Sequence, residues 1–255
     1  MIASLDPAVL AEKLSPPRPL TLVSQPFGAA LVAAPREGAQ GAWLAWLEVL
    51  PSERRRGHAR ALLDAAIAWS AATGARTLTA GGPPGNYLVP GVDASGWVAP
   101  WLERAGFCPV DESHNLVVDL TAAAGFRDPR VSPCEDRAAL AWVAAQFSAS
   151  WRDEAERALL RGGLFVARAG GAPVGFVCAH GNCGDLGTFG PVGVVDTARG
   201  HGVGAALARR AYAALAERGF ERATVPWVST ETLPFYAGLA PVLSARRYLG
   251  LRRAL

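Results

Sequence analysis

The sequence predicts an α/β fold built twice in tandem, and three observations carry that reading. The first is a repeat: residues 53–62 realign with residues 198–207 at a constant offset of 145, and Gly74 falls on Gly219, each closing an Ala-rich helix as a C′ glycine does. The second is that an apolar strand precedes both copies, over residues 43–50 and 189–195. The third is the alternation of short strand runs with helical runs along the chain, which in the second half reads α-α-β-β-β-α-β-α-β.

The elements follow in order. Residues 1–20 form a Pro-punctuated lead with a turn or two of helix over residues 8–13. Strands over 21–25 and 29–34 are broken by Pro26 and ended by Pro35, and a turn at 38–41 leads into strand 43–50. The spacing of Ala61, Leu62, Ala65, Ala66 and Trp69 predicts a helix over 60–73. A strand over 77–80, a loop over 81–86, a helix over 98–105 ended by Gly106, and a closing strand over 115–120 complete the first half. Residues 121–133, with Gly125, Pro129 and Pro133, read as the interdomain connection, giving domains 1–122 and 123–255. The second half begins with helices over 134–148 and 151–160, and a hairpin follows around Gly170 and Gly171. Strand 186–195, a glycine loop, helix 205–218, strand 221–228, helix 232–238 and strand 242–251 finish the chain.

Composition narrows the class. A chain of 255 residues with 51% apolar and 18% charged content has material for two cores and none of the bias of disorder. A net charge of +3 is too small to argue for nucleic acid, and the cluster Arg54, Arg55, Arg56 is too short for a nucleic-acid patch. Four cysteines without CxxC spacing predict neither a disulfide framework nor a metal site. Asp6 and Glu12 interrupt the N-terminus and no apolar run reaches about 18 residues, so neither a secretory signal nor a membrane span is expected. The expectation is a cytoplasmic protein.

The loop after strand 189–195 carries the chemistry. Three glycines, Gly200, Gly202 and Gly204, remove the Cβ atoms that keep a ligand from the backbone. N–H groups left open at a helix start converge there on an anion, and a pyrophosphate matches that geometry. The spacing is neither GxGxxG nor a Walker loop. Arg199, Gly200, His201, Gly202, Val203 and Gly204 fit R/Q-x-x-G-x-G/A, and the loop resembles the acetyl-CoA loop of the GNAT superfamily of N-acetyltransferases. Phe235-Tyr236-Ala237-Gly238 resembles that family's F-Y-x-x-x-G-F segment, and Pro100 to Phe107 holds the equivalent place in the first half. The stretches 87–92 and 226–228 are similar to those of bacterial proteins with two GNAT domains in one chain.

The resemblance implies two mixed, mostly antiparallel sheets flanked by helices, the first copy lacking the two N-terminal helices. It implies acetyl-CoA as co-substrate, with the pantetheine arm paired to backbone at Val194 and Val195, the pyrophosphate on Arg199 through Gly204, and direct transfer to a small-molecule amine. Tyr236 is then the candidate general acid for the coenzyme A thiolate, against a purely packing role. Leu102 occupies its place in the first copy and cannot donate a proton, while Arg55, Arg56 and Ala59 replace Gly200, His201 and Gly204. The first copy therefore reads as catalytically degenerate. Glu48, Asp185 and Glu231 are each either a base or a solvated carboxylate; water can serve instead. His201 flanks the phosphates or the solvent, His180 is a surface or acceptor-side residue, and Trp227 is pocket wall or core. The competing function is a non-catalytic acyl-CoA-binding or scaffolding protein. A monomer with pseudo-two-fold halves and a homodimer fit the repeat equally.

Overall fold

Apolar strands and Ala/Leu-rich helices alternate as their patterning demands. The computed structural model describes residues 5–183 and 187–255. It shows two compact units: the chain up to Ser113 together with Arg247–Leu255, and His114–Arg246.

In the first unit, α1 (Pro7–Lys13) starts where the Asp6 carboxylate accepts from the Ala8 and Val9 amides and Pro7 pre-sets the first helical residue. β1 (Thr21–Gln25), β2 (Gly28–Ala33) and β3 (Gly41–Val49) form an antiparallel meander. After α2 (His58–Ala72), β4 (Thr77–Ala80) returns parallel to β3 over residues 41–44 only. β5 (Val92–Asp93), α3 (Val98–Arg104) and the start of β6 (Cys108–Asp119) follow. The outer edge of β4 pairs antiparallel with residues 251–254 of the last strand, β12 (Val242–Ala254). Ala30, Val32, Leu44 and Leu78 of the sheet bury against Leu63 and Ala66 of α2. Before β1 the described chain has one helix, matching the expected shortening of the first copy.

In the second unit, β7 (Val131–Pro133), β8 (Leu164–Ala169), β9 (Ala172–Ala179) and β10 (Phe189–Val194) make an antiparallel sheet in sequence order. α4 (Ala138–Gln146) and α5 (Ala149–Leu160), the latter capped by Ser148, cover one face around Leu140, Val143, Ala155 and Phe176. α6 (Val203–Ala216) covers the other, packing Leu207, Ala211 and Leu215 onto Phe165, Val177 and Phe189. β11 (Arg222–Val228) pairs with the second half of β6, and a parallel bridge at Thr188 and Thr224 joins it to the β10 side. α7 (Leu233–Ala237) precedes β12.

Several boundaries differ from the sequence reading. The connection 121–133 contains β7, which pairs with β8 despite Pro133. The first helix of the second half begins at Ala138 rather than 134, because the Cys134 amide bonds Leu164 O and the Asp136 carboxylate takes the Ala138 amide. β6 begins at Cys108, seven residues before the predicted strand, and β12 runs on to Ala254. The sequence reading expects a boundary between residues 122 and 123, while the compact units divide inside β6 and β12. Of the expected strand 186–195, residue 186 lies outside the described ones, and β10 covers Phe189–Val194.

Gly175 shows how closely β9, β10 and α6 approach: a Cβ there would lie 2.9 Å from both Gly193 O and Leu207 Cδ1. Backbone cannot yield as a flexible side chain can. Gly175→Ala is expected to cost about 2 kcal/mol, read as a lower urea midpoint at unchanged m-value.

Candidate active site

Each half builds the same device from the end of a strand. Leu50 N–H bonds Phe27 O at 2.9 Å, and 145 residues on Val195 N–H bonds Val174 O at 3.0 Å. One 3₁₀ turn follows in each, Pro51–Glu53 and Asp196–Ala198. An arginine then reaches back, Arg54 Nε to Val49 O and Arg199 Nε to Val194 O, both at 3.3 Å. Two left-handed residues complete each turn, Arg55 (φ 64°) and Gly57 (φ 82°) in the first copy, Gly200 (φ 79°) and Gly202 (φ 73°) in the second. α2 and α6 then start with no side chain capping either. Their first amides, which have no carbonyl one turn back, point out of the helix start.

Alternation along β10 assigns the two valines. Val195 spends its amide on Val174, so the amide and carbonyl of Val194 face the opposite edge, away from β9. Of the two valines, Val194 is therefore the one whose amide faces that edge. The space about the loop is open: no heavy atom lies within 4 Å of where a Cβ would stand on Gly200 or Gly202. Gly204 has Val194 Cγ2 at 3.7 Å and a Phe235 ring carbon at 3.8 Å from that point. Val203 is buried and anchors the loop in the core, while Arg199 pairs with Asp196 at 2.9 Å on the surface. His201 turns its Nδ1 onto Arg199 O at 2.8 Å.

α7 ties the loop to the strand. Phe235 reaches Gly204, and its neighbour Tyr236 sets its ring edge-on to Phe189 at 5.9 Å. Burial pushes the Tyr236 phenol up to about 12, which keeps its proton in place through neutral and mildly alkaline pH. Tyr212 on α6 packs on Phe189 from 4.9 Å, and its phenol is raised by burial and by Tyr236. Tyr212 carries no motif in the sequence and is found only by its place on α6, whereas Phe235 lies in the Phe235-Tyr236-Ala237-Gly238 segment that the sequence marks.

The carboxylate candidates separate. Glu231 is exposed, and a hydrogen bond from Ser229 lowers its pKa. Asp185 lies outside the described residues. Glu48 is buried on β3 and lines a cavity of about 570 Å³ in the first unit. That cavity lies between the end of β3, the first loop and α3, with Trp46, Trp97 and Trp101 in its walls. Leu102 is buried in the adjoining core, so α3 offers carbon where α7 offers a phenol. His180 (φ 60°) packs on Phe220 at 5.3 Å, and Trp227 (φ 53°) sits at a break in the β11–β6 register with its amide on Asn115 Oδ1.

The sequence model of the acetyltransferase (GNAT) family matches residues 15–87 and 137–239, well over half of the chain. The chain belongs to the GNAT acetyltransferase family. It is an acetyltransferase with two GNAT regions in tandem. Among solved structures it is similar to a GCN5-related glucosamine N-acetyltransferase region of a fungal multi-domain GH3 β-N-acetylglucosaminidase, at 20% identity and TM-score 0.72 over 89% of this chain and 31% of that one. A GCN5-related N-acetyltransferase from Sphaerobacter thermophilus aligns at 19% identity and TM-score 0.65, over 89% of this chain and 76% of that one. A tandem GNAT protein of the clavulanic acid biosynthesis pathway aligns at 21% identity and TM-score 0.64, over 94% and 84%. At these identities the likeness concerns the fold, and the chain spans under a third of the fungal protein. No curated relative matches. GNAT enzymes use acyl-CoA, and the open, uncapped loop of the second half fits its pyrophosphate. No helix among the described residues is long and apolar enough to cross a membrane.

A phenol that ionises only near 12 gives a pH prediction for this GNAT chain. Should Tyr236 be the proton donor, its raised pKa preserves the donating form as pH rises, and kcat is then expected to hold level from pH 8 to 10. A fall in kcat centred near pH 9 would assign the acid to another group.

Proposed function

We propose that the second half transfers the acetyl group of acetyl-CoA to a primary amine of a small molecule, directly, with both substrates bound together. The observation that carries this reading is the continuity of α7. Of its adjacent residues, Phe235 lies beside Gly204 of the loop and the half-buried Tyr236 sets its ring against Phe189 of β10, which supports a proton donor carried on the element that flanks the loop. When bound, the thioester supplies an acyl group activated toward an amine. The Val194 amide pairs with the arm or polarises the carbonyl, where developing charge is best met by a fixed donor. The amides from Gly200 to Gly204, together with the positive end of α6, hold the pyrophosphate. Tyr236 keeps a proton on Oη for the departing sulfur. Glu231 is solvated and tied to Ser229, so the amine's proton leaves to water.

The sequence domains 1–122 and 123–255 then divide the work, and a specific observation favours a second reading for the first. Arg55 keeps the left-handed conformation that Gly200 adopts freely, at a cost of about 1 kcal/mol for a residue with a Cβ. A loop with no ligand to hold has no reason to retain that strain, and the 570 Å³ cavity lies beside it. We therefore read the first half as a second acyl-CoA site without a proton donor.

Calorimetric titration of acetyl-CoA into wild type, Gly202→Glu and Gly57→Glu tests both readings. Each new carboxylate repels the phosphates at one loop. Two sites falling to one in either variant is the expected result; binding lost only in Gly57→Glu would move the cofactor to the first half, and no binding in wild type would sink the proposal. Tyr236→Phe is expected to lower kcat roughly a hundredfold with the acetyl-CoA Kd unchanged. Unchanged turnover in that variant would leave the phenol a packing role.

A further inference from the structure

The loop of the second half contains glycines on both sides of His201, and a glycine-flanked peptide turns over easily. Something outside the loop holds this one. Arg130, just before β7, donates from Nη1 to His201 O at 3.0 Å, across 71 residues of sequence. Its guanidinium is itself fixed by Asp128, from Nε to Oδ1 at 2.9 Å and from Nη2 to Oδ2 at 2.7 Å, and the Arg130 amide donates to the same carboxylate at 2.9 Å. This two-pronged pairing holds the Asp128 carboxyl below its usual range. With its charge matched by Asp128 and three of its donors committed, Arg130 is placed to brace the backbone.

From this geometry we infer that Arg130 is a positioning residue for acyl-CoA, acting through the His201–Gly202 peptide. In a trans peptide the carbonyl and the next amide point in opposite directions. Tying His201 O toward Arg130 therefore aims Gly202 N–H away from it, out of the helix start where the anion sits. The first copy solves the same problem from within: Arg55, with a Cβ, stands where Gly200 stands and restricts the turn by itself. One loop is stiffened by its own side chain and the other by a distant strut. The inference rests on the reading that residues 199–204 hold the pyrophosphate.

The test uses the full chain in a Gly57→Glu background, so that only the second loop reports, with acetyl-CoA as the titrant. Arg130→Met is expected to weaken Kd and raise KM together by roughly tenfold, the worth of one charge-assisted hydrogen bond, with kcat within twofold. Arg130→Lys keeps one donor for His201 O and recovers most of the affinity. Asp128→Asn, which loosens the guanidinium, weakens Kd by a smaller factor in the same direction. Unchanged Kd in Arg130→Met, alongside abolished binding in Gly202→Glu, overturns the strut. A fall in kcat and in the ligand-free melting temperature without a KM effect overturns it too, since that is the signature of general destabilisation. Full binding in Gly202→Glu instead removes the reading on which the strut depends.

Discussion

A β-strand and an α-helix cannot be joined head to tail without leaving peptide groups unpaired, and the organisation of this chain follows from how it spends them. Each half ends a strand, makes a single 3₁₀ turn, passes through two left-handed residues and starts a helix without a side-chain cap. The open amides are costly in an apolar setting and useful in front of an anion. Everything nearby keeps them usable. Val203 sinks the loop's far side into the core, arginines pin the strand carbonyls behind it, and the glycines keep the front clear.

The halves share a backbone and differ in what they place against it. At offset 145 the hydrogen bonds, the short turns and the signs of φ repeat almost residue for residue. α7 brings Phe235 beside Gly204 of the second loop and packs Tyr236 on Phe189, whereas Trp101 of α3 and Trp97 just before it line the cavity at the first loop and Leu102 sits in the core. Aromatic area and a cavity can hold a ligand, but proton transfer needs an ionisable hydrogen. Duplication thus preserved the part of the device that depends on backbone and let the part that depends on side chains diverge.

The loop and the repeat were legible in the sequence because glycine spacing and apolar periodicity report local geometry directly. The long helices were legible for the same reason. β5 and β7, of two and three residues, are too short to show a period, and the first turns of β6 alternate nothing because residues 108–112 are all exposed. The roles of Val194 and Val195 needed one more datum, the partner of the Val195 amide, since adjacent strand residues face opposite edges. Arg130 carried no signal at all: its connection to His201 O is a tertiary fact about a surface arginine, in a chain where nearly every cation is arginine.

One edge of β4 is closed from far along the chain. Residues 77–80 of β4 have residues 251–254 of β12 as antiparallel partners, more than 170 positions away. Joining them closes a long loop, so this pairing is a non-local contact whose entropy cost falls before its hydrogen bonds repay it. Without residues 251–254 that edge of β4 is an open ladder, the kind of surface on which another strand can pair.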